Sequence, residues 1–152
     1  MTYKGKYRVK YPQKYKGDHT QVIYRSFWER QVFRWCEENS NVQWWNSESV
    51  VIPYRCATDN RFHRYFLDLQ IRFTNGEIIC VEIKPKIQTE QPRPKKGKTK
   101  KRLTEETLTY AKNVSKWEAA ESFCKARGWK FQIWNEETLQ AMGIKLMMNR
   151  NK

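Results

Sequence analysis

The spacing of apolar and polar positions changes period several times along the chain, and each change predicts an element. After Ser26 the run FWERQVFRWCEEN sets Phe27, Val32, Phe33, Trp35 and Cys36 at helical spacing, and Ser26 with Glu29 fits a capping box. A helix is expected there. SVVIPYR reads as a short strand interrupted or ended near Pro53, because proline has no amide to give to a ladder, and the TDN at 58–60 reads as a turn. FLDLQIRFTNGEIICVEIK, from Phe66 to Lys84, reads as two strands and a turn. Thr104 opens a long amphipathic helix with acids in its first turn, Lys125 and Arg127 in its last and Gly128 as its stop. Residues 129–134 alternate as a strand, and Asn135 starts another helix. The order of helix, strands, helix, strand and helix predicts an α/β (α+β) chain with a mixed central sheet flanked by helices.

The register of the two central strands decides where their charges fall. A two-residue loop at Asn75-Gly76 would put Asp68 and Glu82 on opposite faces. A three-residue loop, Thr74-Asn75-Gly76, with Gly76 left-handed, pairs Ile71 with Ile79, Leu69 with Val81 and Leu67 with Ile83. Apolar matching favours this second register, and on the opposite face it sets Asp68 beside Glu82 and Phe66 beside Lys84. Like charges directly opposite on a sheet repel. A divalent cation is the simplest offset, since Mg²⁺ takes one or two carboxylates and fills the rest with water and phosphate oxygen. A solvated strand face with Lys84 in an ordinary ion pair is the other reading. Glu29 shares a helix face with Val32, Phe33 and Cys36, so it should lean toward the sheet, unless the capping box is its whole role.

Composition narrows the partner. The 152 residues suffice for one domain, and seven Trp, eight Tyr and seven Phe supply its core. Lys and Arg outnumber Asp and Glu by 30 to 16, a net charge of +14, which points to a polyanion, with nucleic acid leading. No apolar run approaches the roughly 20 residues of a spanning helix, and MTYKGKYRVK lacks the apolar core of a signal peptide, so a cytosolic chain without membrane contact is expected. Cys36, Cys56, Cys80 and Cys124 are scattered singly with no C-x-x-C pair, and reduced core thiols are expected rather than zinc or disulfides.

Charge also divides the chain. Residues 1–20 form a basic arm alternating lysine with Tyr3, Tyr7, Tyr11 and Tyr15, whose rings either stack on bases or tuck onto the body. Residues 21–147 form one domain, and 148–152 a tail. Within the domain a proline-rich basic loop at 85–103 is expected to be mobile, with Arg93, Lys95, Lys96, Lys98, Lys100, Lys101 and Arg102 available to phosphates. Lys112 and Lys116, four residues apart, share a helix face that either meets phosphates or is simply solvated. No base-reading motif is visible, so little sequence specificity is expected.

Four blocks then stand in order: YRSFWER with Glu29, HRYFLDL with His63 and Asp68, VEIKPK with Glu82 and Lys84, and SKWEAAESFCKARGWKFQIWNEETL. Together they resemble the PD-(D/E)XK nucleases and, within these, the TnsA-like endonucleases, over about residues 22–140. Leu67 stands where the family name has proline, a position that varies among its members. The chain stops soon after Met147-Met148, short of the further domain usual in heteromeric transposase subunits, so a transposase role is not expected.

The whole chain looks most like the phage head-completion nucleases. That resemblance implies a restriction-endonuclease-like core and Mg²⁺-dependent DNA hydrolysis, with Mn²⁺ as an alternative ion and no organic cofactor. It implies that Asp68, Glu82 and the Ile83 carbonyl hold the ion, that Lys84 orients water and stabilises charge, and that Glu29 serves a second water or metal. His63 either approaches the phosphate or is a structural histidine at a strand entry. DNA and the portal or head-vertex proteins are the implied partners, in the host cytoplasm or with the virion head. A non-cutting DNA-binding or vertex protein, and a resolvase- or restriction-type enzyme, remain as other classes.

Overall fold

The computed structural model describes residues 3–147; the tail expected at 148–152 lies outside the described residues. In chain order the elements are β1 (Gly5–Lys6), β2 (Ile23–Tyr24), α1 (Phe27–Glu38), β3 (Val42–Asn46), β4 (Val51–Arg55), β5 (Phe62–Phe66), β6 (Leu69–Phe73), β7 (Ile78–Ile83), α2 (Lys100–Ala126), β8 (Lys130–Trp134) and α3 (Glu136–Ala141). Short 3₁₀ turns lie at Pro12–Lys14, His19–Gln21 and Lys86–Thr89. The central sheet runs β3-β6-β7-β8, antiparallel except that β8 lies parallel to β7. It is the mixed α/β arrangement of a restriction-endonuclease-like core. Among the described residues no helix is long and apolar enough to cross a membrane.

Alternation along β6 and β7 splits the core into two clusters. Leu69, Ile71, Ile79 and Val81 pack with Val32 and Phe33 of α1, Trp45 of β3 and Leu139 of α3. Cys80 instead joins Ala120 and Cys124 of α2, with Ile52, Tyr54 and Tyr65 from a separate two-stranded ribbon formed by β4 and β5. All four cysteines are buried free thiols. Pro53 does not end its strand: β4 pairs only with β5 and runs through the proline, which sits opposite Arg64, because an edge strand can dispense with one donor.

The β6–β7 register pairs Leu69 with Val81 and Ile71 with Ile79, and Gly76 closes the turn at φ +91°, which only glycine adopts without strain. Leu67 departs from the expected pairing with Ile83, and Phe66 from that with Lys84, because Phe66 pairs with Val51 in the β4–β5 ribbon. The Leu67 amide donates to the Val50 carbonyl and its own carbonyl accepts from Glu48, so the Leu67 side chain joins the α2 cluster and the chain leaves the ladder at Asp68.

The N-terminal segment is a packed part of the body, so Tyr7 and Tyr15 are closed to base stacking. Both are buried against Trp45, edge to face. The segment is also tied by charge: the buried Glu37 carboxylate accepts from the Tyr7 hydroxyl and from the amides of Lys10 and Tyr11. Lys14 Nζ donates to the carbonyls of Cys36, Glu37 and Asn39, capping the C-terminal end of α1 where cations are favoured. Glu37→Ala would strand three donors, and we expect it to lower unfolding free energy by about 3 kcal/mol in urea titration. A loss under about 0.5 kcal/mol would show that the segment is not held by this carboxylate.

The long helix begins four residues before the expected Thr104. Thr99 is its N-cap, with Oγ1 accepting from Arg102 N at 3.1 Å. The prolines and glycine just before it and the lack of apolar residues made the run look like loop, and basic residues in a first turn also oppose the helix dipole. Glu106 offsets this, accepting from Arg102 at 3.0 Å and from Lys98 at 2.7 Å. Lys100, Lys101 and Arg102 are therefore helical. The basic segment is also fixed at its start, where Lys86 N donates to Glu136 and Lys86 Nζ to Glu137 of α3.

Candidate active site

Asp68, Glu82, Lys84 and Glu29 are delivered by β6's entry, β7 and α1, and the fold brings them together. Ser26 Oγ accepts from Glu29 N at 3.1 Å and starts α1. The return half of the capping box differs from expectation. The Glu29 carboxylate passes over the Ser26 amide and accepts from Arg25 N through Oε1 at 2.9 Å, so it is directed inward. Burial pushes Glu29 above the usual carboxylate range, and the carboxylates of Glu48 and Glu82 add to the effect.

Asp68 stands at the point where the ladder opens. With Leu67 turned away, the amide of Ile83 has no backbone partner on β6, and Asp68 Oδ2 accepts it at 2.8 Å. Among the described residues Oδ1 receives no hydrogen bond. Enclosure by protein atoms, then the facing carboxylates of Glu82 and Glu29, push Asp68 well above its usual range, against the Ile83 amide and Lys84.

Glu82 is the most firmly held. The Tyr65 hydroxyl donates to Oε1, Trp117 Nε1 donates to Oε2 at 3.2 Å, and Lys84 Nζ lies 3.5 Å from Oε2. Tyr65 reaches across from β5 and Trp117 from α2, so both layers on that side of the sheet fix one carboxylate. Lys84 itself is anchored by its amide, which donates to the Trp134 carbonyl and carries the β7–β8 pairing one residue beyond the strand.

Three residues that lie within the four blocks, but to which the sequence pattern assigned no role, join the site. Tyr65 and Trp117 lie 17 and 35 residues from Glu82, too far for any local motif. The alternation of β5 does point Tyr65 inward, and that was the available signal. Arg25 is the third: its guanidinium grips Glu48 at 2.6 and 3.1 Å and feels the carboxylates of Glu29 and Asp68.

The remaining expected contacts separate into two groups. Lys116 is half-buried with Nζ 5.4 Å from the Tyr65 ring centroid, and its pKa is held down by burial, partly opposed by Glu82. It belongs beside the carboxylates, and the exposed Lys112 lies near it. His63 does not join them: Nε2 meets Asp59 Oδ2 at 2.7 Å near the turn of the ribbon. Lys98 is committed to Glu106 and to the Arg93 carbonyl, whereas Arg93, Lys95, Lys96, Lys100, Lys101 and Arg102 are exposed.

A divalent ion fits the donor set. Asp68 and Glu82 are hard oxygen donors whose mutual repulsion a cation would relieve, Asp68 keeps one oxygen open, and the Ile83 carbonyl follows directly. Among the described residues no three side chains of His, Cys, Asp or Glu are placed to ligate one ion, so Glu29 stands outside the Asp68–Glu82 donor pair, and backbone oxygen and water have to complete any shell.

Comparison with known proteins gives the family. The family described as TnsA-like endonuclease N terminal matches residues 39–136, a span that holds Asp68, Glu82, Lys84 and Lys116. The chain belongs to the TnsA-like endonuclease family. Its domain is thus a PD-(D/E)XK nuclease domain, a superfamily that generally uses divalent metals. The head completion nuclease of Enterobacteria phage T4 is 40% identical over 148 residues, covering 95% of this chain and 99% of that protein. Glu29 precedes the family match but falls within a chain aligned almost end to end with that relative. No solved structure matches.

Proposed function

We propose that this TnsA-like protein is a Mg²⁺-dependent deoxyribonuclease that cuts phosphodiester bonds with little sequence preference and acts in phage head completion, trimming or cutting DNA before head and tail join. The observation that carries the reading is the gathering of Asp68, Glu82 and Glu29 in a partly enclosed site beside Lys84. A protein that only bound DNA would be weakened by three carboxylates facing phosphate. The head-completion role rests on the name of the phage T4 relative.

Bound between Asp68, Glu82 and the Ile83 carbonyl, the ion would supply a Lewis acid that polarises a phosphate oxygen and makes water a better nucleophile. The chain's own groups do the rest. Tyr65 and Trp117 keep Glu82 in one rotamer, and the Ile83 amide keeps Asp68 in place, so the site costs little to reorganise when DNA arrives. Lys84 Nζ orients the attacking water and faces the negative charge that grows on the phosphate oxygens. Glu29, held by the Arg25 amide, steadies a second water through its other oxygen. Lys116 and Lys112 would hold the neighbouring phosphate, and the exposed cations of residues 93–102 would follow the strand beyond it.

The test is cleavage of supercoiled and linear plasmid by the purified protein with Mg²⁺, with Mn²⁺ or with EDTA. Nicking or degradation only when metal is present is the expected result. Retarded but intact DNA under every metal would replace this reading with that of a non-cutting head-vertex protein.

A further inference from the structure

The β4–β5 ribbon turns one face to the α2 cluster and leaves the other uncovered. Ile52, Tyr54 and Tyr65 fill the inner face. On the outer face the antiparallel register sets Val51 beside Phe66, Pro53 beside Arg64 and Arg55 beside Phe62. Phe62 is 73% exposed and Phe66 46%, an unusual state for two phenylalanines on the same side of one strand. Each ring has a guanidinium beside it: Arg55 lies 5.8 Å from the Phe62 ring centroid and Arg64 5.6 Å from that of Phe66.

The charge on this face is not neutralised: Arg55 Nε donates at 2.8 Å to the side-chain oxygen of the neutral Asn60. Among the described residues, Arg55, Arg61 and Arg64 have no acidic partner, and the acid at the turn, Asp59, is occupied by His63. Interleaved rings and unpaired arginines make a poor dry protein interface, whose centre is depleted of charge. They suit a polyanion that also offers flat apolar faces. In a duplex those faces are hidden by stacking on one another, so the complementary ligand is DNA with unpaired bases. Position supports the same occupant. Phe66 lies two residues before Asp68, and Phe62 stands about 13 Å farther along the strand, room for successive stacked nucleotides leading from the carboxylates.

We propose that the outer face of the β4–β5 ribbon is a single-strand platform on which Phe62 and Phe66 stack unpaired bases while Arg55 and Arg64 hold the adjoining phosphates. The substrate class is then DNA with a frayed or single-stranded portion next to the scissile bond. This deepens the nuclease reading and rests on it for its biological meaning, but its test does not require cutting.

Binding is measured by fluorescence anisotropy in EDTA for a blunt duplex and for the same duplex with an unpaired thymidine tail of about ten nucleotides. The unsubstituted protein should favour the tailed probe by about tenfold or more, and Phe62→Ala with Phe66→Ala should bring the ratio of the two affinities close to one. Phe62→Trp with Phe66→Trp should preserve or raise the ratio, which separates stacking from mere loss of fold. An unchanged ratio in the alanine variant, or an equal loss on both probes, overturns the platform; the first outcome would leave the two rings to a protein partner and the second to duplex contacts. Plasmid cleavage failing while the ratio behaves as expected would instead overturn the nuclease reading alone.

Discussion

Asp68→Asn is expected to lower metal-dependent plasmid cleavage by about a thousandfold or more while making the metal-free protein more stable. Asparagine has nearly the shape of aspartate, and its side-chain oxygen can still accept the Ile83 amide, so the junction between β6 and β7 should survive. What disappears is a charge that burial and the carboxylates of Glu82 and Glu29 already oppose. Removing it should raise the stability measured by calorimetry in EDTA by about 1 kcal/mol, a few degrees in a chain of this size. The opposite signs are the point of the experiment. A structural aspartate would lose stability on substitution, and a variant that is both folded and still cutting would remove Asp68 from the chemistry.

Lys84→Met should reduce the cleavage rate by about a hundredfold to a thousandfold with only a small change in DNA affinity. The backbone bond from residue 84 to Trp134 does not depend on the side chain, so the β7–β8 pairing is kept. The ammonium group is the nearest cation to Glu82, at 3.5 Å from Oε2, and Met keeps its stem while removing the charge. A group acting on the transition state lowers kcat, whereas a phosphate anchor raises KM and lowers the slope of binding against salt by about one counterion. Lys116→Met supplies the contrast. Its half-buried ammonium beside the Tyr65 ring should behave as the anchor. If Lys84→Met altered only KM, the roles of the two lysines would have to be exchanged.

Much of this site was legible because period-2 alternation is unforgiving. Once Leu69 faces Val81 and Ile71 faces Ile79, the positions of Asp68 and Glu82 follow, and a slip of one residue would bury polar groups in the α1 cluster. Glu29 was legible for the equivalent helical reason. What escaped was the break in the ladder at Asp68, since Leu67 continues the apolar alternation and yet packs on the other cluster. The partners of Glu82 escaped because Tyr65 and Trp117 belong to elements that meet β7 only in three dimensions. The first turn of α2 escaped because the prolines and glycine before it and the lack of apolar residues read as loop. Lys100, Lys101 and Arg102 also contradict helix-end preferences, a conflict resolved by Glu106 one turn later. The N-terminal tyrosines show the limit of composition: a basic aromatic stretch looks equally like a free arm and a strap, and only the buried Glu37 distinguishes them.

The parallel pairing of β8 with β7 has a consequence for the order of synthesis. β6 and β7 leave the ribosome together and can form their hairpin at once, with Asp68 at the entry to β6 and Glu82 near the end of β7. The groups that steady that strand come later: the Trp117 indole on Glu82, then the Trp134 carbonyl on Lys84, both in the final quarter of the chain. A nascent or prematurely terminated polypeptide therefore carries Glu82 and Lys84 on and just beyond a strand with one open edge, and Asp68 at the entry to the neighbouring strand. With the roles proposed above for Asp68, Glu82 and Lys84, competence to cut would arrive only as translation nears its end, and incomplete copies would pose little danger to the DNA around them.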